Sequence, residues 1–150
     1  RLVNGVPYTL GSLIENETSK NQNFDLCGIA EELLGAPYLW GGKTFMGIDC
    51  SGLVQVTARC LGLELPRDAK DQINEGEGIE FESRKRNDLA FFENLERRIT
   101  HVGILVSPDR IIHASGTVRY DRFNQEGIWR EGQDLEEKTH VLHSLRRIIE

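Results

Sequence analysis

Residues 47–61 read G-I-D-C-S-G-L-V-Q-V-T-A-R-C-L. From Cys50 onward Leu53, Val54, Ala58 and Leu61 fall on one stripe, which predicts a helix over 50–61. Gly62 follows as a left-handed cap, with Leu63 placed to close it. Cys50 and Thr57 belong to the same stripe, so the Cys50 side chain points along the face that packs on the rest of the domain. Upstream, Leu26, Ile29, Ala30, Leu33 and Leu34 recur at helical spacing after Asp25, with Gly35 as the stop and Pro37 just beyond. Between the two helices, P-Y-L-W-G-G (37–42) marks a turn where the backbone makes a close approach. Downstream, L-P-R-D (65–68) leads into a short helix with Asp68 as N-cap and Asp71 at the capping-box position. The second half reads as strands at 89–93, 101–106, 111–115, 117–121 and 140–149, with a turn at 107–110 and a charged, Gly-broken loop or irregular helix at 124–138. Helices gathered first and strands second define an α+β domain, helices packed on an antiparallel sheet.

Composition bounds the rest. At 150 residues the chain is one domain's worth, and 39% apolar residues with 15 glycines is ordinary for a globular protein. No stretch approaches the ~18 apolar residues of a membrane span. A net charge of −6 argues against nucleic acid, since the basic runs at 84–86 and 97–98 have acidic neighbours. Residues 1–23 are polar and Asn-rich and read as a linker, leaving 24–150 as the domain. The chain opens on Arg1 and is read as processed or as a piece of a longer protein. Cys27, Cys50 and Cys60 are an odd count without C-x-x-C, which disfavours zinc-knuckle and thioredoxin-type sites. On one helix Cys50 and Cys60 lie about 15 Å apart and cannot bridge. A Cys27–Cys60 disulfide has no support beyond the count, and small buried residues are the simpler reading of both.

The chemistry centres on Cys50. At a helix N-terminus the free N–H groups and the macrodipole favour thiolate over thiol, and a histidine is the usual partner that makes such a sulfur a nucleophile. His101 and His113 lie on successive strands. A two-residue loop at Pro108-Asp109 would put them on opposite faces, whereas a three-residue loop or one bulge puts His101, Gly103, Leu105, Ile111, His113 and Ser115 on one face. That register is preferred because it leaves Val102, Ile104, Val106, Ile112 and Ala114 as a single apolar face. His101 is then the base and His113 the group that orients it. Cys50, His101 and His113 also form a possible three-ligand metal set, ranked lower because no carboxylate stands ready to support it. His140 and His143, three apart, are read as structural or surface residues. Asp49 can cap the helix, a contribution of about 1 kcal/mol. Beside a thiolate its charge is unhelpful, and it makes more sense as the receptor of a cationic substrate group. Tyr38 is either core or site, and Trp40 reads as a core aromatic.

A-P-Y-L-W-G-G (36–42), G-I-D-C-S-G-L-V-Q (47–55), L-P-R-D-A-x-x-Q (65–72), N-D-L-A-F-F (87–92), H-V-G-I-L-V (101–106) and I-I-H-A-S-G (111–116) stand in order. Together they resemble the NlpC family of bacterial cell-wall cysteine peptidases, a papain-like group, over residues 25–149. The resemblance implies a Cys50 nucleophile, a His101 base and His113 as third member. It implies hydrolysis of the bond between γ-D-glutamate and a diamino acid in murein peptides, with no cofactor. Tyr38, Asp49 and Ser51 match residues that line the family's substrate site, and in one subgroup the acid matching Asp49 receives the free amine of the stem peptide. The sequence departs from the family at Asn87, where glycine is usual and a loop position of little consequence is expected, and at Ala69, often serine in the murein-peptide subgroup. Relatives commonly carry Src-homology-type β-barrel domains upstream, and residues 1–23 look like the exit from one. The resemblance places the protein in the cell envelope or outside the cell, with cytoplasmic peptide recycling as the other setting. An amidase or acyltransferase on another acyl substrate, and a non-catalytic wall-binding module, are the competing readings. Retention of all three triad residues argues against the module.

Overall fold

The computed structural model describes residues 25–132 and 137–150, together with the backbone of a small antiparallel ribbon formed by β1 (Leu2–Val3) and β2 (Val6–Pro7). The rest of the expected 1–23 linker lies outside the described residues. Helix α1 (Leu26–Glu31) starts where Asp25 accepts the Gly28 N–H at 2.8 Å, and buries Leu26, Cys27 and Ala30. It ends earlier than its apolar spacing predicts. Leu33 and Leu34 bond three residues back, and the Gly35 N–H turns away to the carbonyl of Val118, so the chain leaves the helix to run beside a strand.

A hairpin of β3 (Lys43–Thr44) and β4 (Gly47–Ile48) precedes α2 (Cys50–Cys60). The close approach expected at the paired glycines is present: a Cβ on Gly42 would stand 2.3 Å from the carbonyl oxygen of Gly47. Helix α2 buries Leu53, Val54, Thr57 and Ala58. Gly62 is left-handed at φ 79°, and the Leu63 N–H returns to Ala58, as the sequence predicts. Helix α3 (Ala69–Gln72) follows Asp68, but the Asp68 side chain makes no capping bond, so the expected capping box is not formed.

The strands are β5 (Glu77–Ile79), β6 (Leu89–Glu93), β7 (Ile99–Ser107), β8 (Arg110–Ser115), β9 (Thr117–Asn124), β10 (Gly127–Trp129) and β11 (Lys138–Arg147). A 3-10 turn at Phe81–Ser83 separates β5 from β6. All pairings among these strands are antiparallel, in the order β10-β9-β8-β7-β6-β11-β5. Strand β10 also pairs β11, so the expected sheet closes into a six-stranded barrel with β5 on its outer edge. Part of the stretch read as an irregular loop, 127–129, is the strand that makes this closure.

Closure divides the core in two. Leu89, Phe91, Val102, Ile104, Ile112, Ala114 and Val118 face outward and pack against α1 and α2. Ala90, Phe92, Leu105, Ile111, Phe123, Ile128 and Leu145, from all six strands, fill the barrel. Each fully buried Leu or Phe contributes about 1.5–3 kcal/mol. Asn87 matters more than expected. It is left-handed at φ 74°, its amide oxygen accepts the Cys27 N–H at 3.0 Å and its nitrogen donates to Asp25 at 3.1 Å. With Arg86, which grips the same carboxylate, it ties the head of α1 to the barrel. Asparagine tolerates a left-handed backbone better than other side-chain-bearing residues, so it occupies a glycine-like position and adds two hydrogen bonds.

Candidate active site

The strand register decides where the histidines go. Strands β7 and β8 pair Ile104 with Ile112 and Leu105 with Ile111, then slip at a bulge before Ser107–Arg110. This is the bulged register predicted from the apolar pattern, and it puts His101 and His113 on one face. That face is the barrel interior, not the face that meets α2. Cys50 and the histidines therefore do not confront each other across a flat packing surface, as the sequence suggests. The first residue of α2 reaches the edge of β7, where the Cys50 sulfur meets the backbone N–H of Val102, the residue after His101.

Behind that edge runs a diagonal row across three strands. His101 Nε2 is 2.8 Å from His113 Nδ1, and His113 Nε2 is 2.8 Å from Asp121 Oδ2. His113 is fully buried and Asp121 is 1% exposed. Asp121 also accepts from Arg119 Nη2 at 2.9 Å and from the Glu131 N–H at 2.8 Å, both at Oδ1. On the other side, the ring of His140 stacks on His101 with centroids 4.0 Å apart and 24° between the planes. Phe92 meets both rings.

Burial governs the protonation states. It pushes the His101 pKa well below the ordinary imidazole value, and the neighbouring His113 and His140 add to the shift. Burial also lowers His113 against the opposing pull of Asp121, and takes His140 down to about 4. The Cys50 thiol is pushed up by burial, and the Asp49 charge adds to this against the stabilising N–H groups of Val102, Ser51 and Cys50 itself. The expected preference for thiolate at the helix start is therefore overridden by desolvation. Burial thus favours the neutral forms of both the Cys50 thiol and the His101 imidazole.

Asp49 does cap α2, its Oδ1 accepting the Gly52 N–H at 2.7 Å, while Oδ2 accepts the Gly41 N–H at 2.8 Å. Arg67 closes on both oxygens, Nη2 to Oδ2 at 2.6 Å and Nη1 to Oδ1 at 3.0 Å, and Nη1 also reaches Ser51 Oγ at 3.0 Å. Burial would raise the Asp49 pKa, but Arg67 and the two backbone donors hold it below the usual carboxylate value. The electrostatic difficulty of an acid beside Cys50 is met by this guanidinium. Tyr38 is 37% exposed, and its phenol is pushed up first by burial and then by Cys50 and Asp49 in their ionised forms, which puts the ring near Cys50. Trp40, expected in the core, is 86% exposed.

Three residues of this neighbourhood escape a reading by sequence. Asp121 was within reach: the tight turn at Gly116 pairs His113 with Arg119, which makes Asp121 the diagonal neighbour of His113 on the same face. Arg67 stands in the L-P-R-D motif but nothing local aims it at Asp49, and His140 comes from the strand that closes the barrel. His140 is thus a member of the cluster and not an isolated structural histidine, whereas His143 lies 3.9 Å from Glu93. Ring nitrogens of His101, His113 and His140 lie within 4.8 Å of one another. A ring nitrogen offers a metal its in-plane lone pair, and the His101 and His140 planes stack 24° apart with centroids 4.0 Å apart. Cys27, Cys50 and Cys60 are all free, so the Cys27–Cys60 bridge is not formed. Cys27 donates to the Leu105 carbonyl at 3.0 Å, and burial pushes its pKa up to about 12, as suits an inert core thiol.

A cysteine at the head of a helix, a histidine on the adjoining barrel strand and a second residue behind it define a papain-like α+β domain of the cysteine-hydrolase class. The chain belongs to the NlpC/P60 family, which it matches over residues 35–134. It is 41% identical over 86 residues to the γ-D-glutamyl-L-lysine dipeptidyl-peptidase of Bacillus subtilis (strain 168), a match covering 56% of this chain and 29% of that one. It is 38% identical over 97 residues to the probable endopeptidase NlpC of Escherichia coli (strain K12), covering 63% of each. A crystal structure of an NlpC/P60 family protein from Bacillus cereus ATCC 10987 superposes with a TM-score of 0.70 at 26% identity, covering 83% of this chain and 39% of that one. The chain thus spans less than a third of the Bacillus subtilis relative.

Proposed function

We propose that this domain hydrolyses the bond between γ-D-glutamate and a diamino acid in murein peptides through an acyl-enzyme on Cys50. The observation that carries the reading is the placement of Cys50 against the start of β7, one residue from a histidine backed by a buried His–Asp pair. His101 takes the thiol proton as sulfur attacks the γ-carbonyl carbon. The Cys50 backbone N–H, at the helix start, stabilises the oxyanion. His101 returns the proton to the departing amine, and water then releases the glutamyl acyl group by the same route. The γ-D-glutamyl substrate of the Bacillus subtilis relative supports the choice of bond.

In this reading Tyr38 lines the approach to Cys50, and Ser51 and Asp49 shape the site through Arg67. The Asp49 carboxylate already holds four N–H donors, which position Arg67 and the helix start, and a substrate amine would join them as a fifth. Among the described residues no helix is long and apolar enough to cross a membrane. The family's wall-directed relatives support action in the envelope or outside the cell, with an upstream β-barrel domain as the partner that adds targeting.

The test is hydrolysis of L-Ala-γ-D-Glu-diaminopimelate, followed by mass spectrometry, for wild type and Cys50→Ala. The expected result is release of diaminopimelate by wild type alone. An N-acetylated tripeptide cleaved equally well would agree with an Asp49 that is already occupied. An intact tripeptide with a readily alkylated Cys50 would overturn the substrate and favour an amidase or acyltransferase on another acyl group.

A further inference from the structure

The row His101–His113–Asp121 has proton positions that can be read from one end. Burial works to raise the Asp121 pKa, but the hydrogen bonds from His113, the Glu131 N–H and Arg119 outweigh it, so the group is a carboxylate and only accepts. His113 Nε2 therefore carries a hydrogen. His113 is neutral and has only one N–H, which leaves Nδ1 bare toward His101. The 2.8 Å contact between His113 Nδ1 and His101 Nε2 then requires the hydrogen on His101 Nε2. In neutral His101 the remaining nitrogen, Nδ1, is bare.

We propose that Asp121 is a positioning residue for the reaction: acting through His113, it holds His101 as the Nε2–H tautomer and so keeps Nδ1 as the base for the Cys50 thiol. The inference rests on the reading of Cys50 and His101 as nucleophile and base. In the step itself the S–H bond breaks, the proton passes to His101 Nδ1, and the sulfur pair forms the bond to the carbonyl carbon. The resulting imidazolium donates its Nε2–H to His113 Nδ1, and no second proton moves. A charge-assisted bond of this kind is about twice as strong as its neutral counterpart, so the row favours the protonated base.

Replacing Asp121 by Asn inverts the row for a reason visible in the geometry. Two donors, Arg119 Nη2 and the Glu131 N–H, converge on Oδ1 and keep the amide oxygen there. The amide NH2 then stands where Oδ2 was, donor against donor with His113 Nε2. His113 must switch to the Nδ1–H tautomer and donate to His101 Nε2. His101 in turn carries its hydrogen on Nδ1, and the thiol loses its base.

The test needs no substrate. Long-range 1H–15N correlation spectra of histidine-labelled protein at pH 7 report each ring's tautomer. The expected result is Nε2–H for both His101 and His113 in wild type, and Nδ1–H for both in Asp121→Asn. Iodoacetamide labelling at pH 7, mapped to Cys50 to exclude Cys60, should slow by on the order of 10²-fold in Asp121→Asn, the usual weight of a positioned general base. The wild-type spectrum keeps the inference testable even if Asp121→Asn fails to fold. His101 found as Nδ1–H in wild type would overturn it, as would a folded Asp121→Asn with unchanged tautomers and labelling rate. Correct tautomers with an uncleaved murein peptide would leave this inference standing and remove only the substrate.

Discussion

Arg67 is the residue on which the charge balance around Cys50 depends, and Arg67→Met tests that dependence. The guanidinium makes two bonds to Asp49, of 2.6 and 3.0 Å, and one of 3.0 Å to Ser51. The Asp49 side chain is 8% exposed and that of Arg67 is 29% exposed. Removing one member of a well-buried pair costs about 3–5 kcal/mol, because the other charge is stranded. Solvent at the Arg67 end and the surviving Gly41 and Gly52 N–H donors reduce this to about 2–3 kcal/mol. Urea unfolding at pH 7 of wild type, Arg67→Met, Asp49→Asn and the double variant isolates the pairwise contribution, with about 1.5–3 kcal/mol of coupling expected. The stranded Asp49 charge should also raise the Cys50 pKa further and slow its alkylation in Arg67→Met. Coupling below about 0.5 kcal/mol, the range of an exposed ion pair, would refute the reasoning. So would faster alkylation.

Two further perturbations probe the barrel side. A Cβ on Gly103 would stand 2.7 Å from Ile111 Cδ1 and 3.0 Å from His113 Cβ. The Ile111 tip can turn aside but the His113 Cβ cannot, so Gly103→Ala should displace the His113 ring and lower kcat by about 10–100-fold while leaving KM near wild type. An unaltered kcat in Gly103→Ala would show that the row tolerates displacement. Stability should also fall with acid earlier than carboxylates alone would cause. His101, His113 and His140 are held neutral, with lowered pKa values, His140 at about 4. The unfolded chain therefore binds protons that the folded protein refuses. The contribution is complete above the unfolded value of about 6.5 and declines as pH falls from there toward about 4. Asp25, Asp49 and Asp121, also lowered, add losses only below their unfolded value of 3.8. A urea midpoint that stays level between pH 6.5 and 4.5 would contradict the buried, neutral histidines.

Much of the site was legible because it rests on local patterns. The stripe behind Cys50 fixes a helix and puts the sulfur at its start. The apolar alternation of 102–106 and 112–114 selects the bulged register over the two-residue loop, since only that register gives one continuous oily face. Asn87 shows the limit of such reading. Its value lies in a left-handed backbone and in bonds to Asp25 and Cys27, some sixty residues away.

The sequence by itself determined the α+β class, the helix that carries Cys50 and the pairing of His101 with His113, because these follow from side-chain period and short turns. Only the tertiary structure decided that the sheet closes through β10 and β11. That closure turns the histidine face into a buried interior and brings His140 onto His101. It likewise decided that Arg67 neutralises Asp49. The physical reason is common to both: barrel closure and ion pairing join segments distant in sequence, and burial, which holds the histidines and the Cys50 thiol in their neutral forms, exists only once those segments have met.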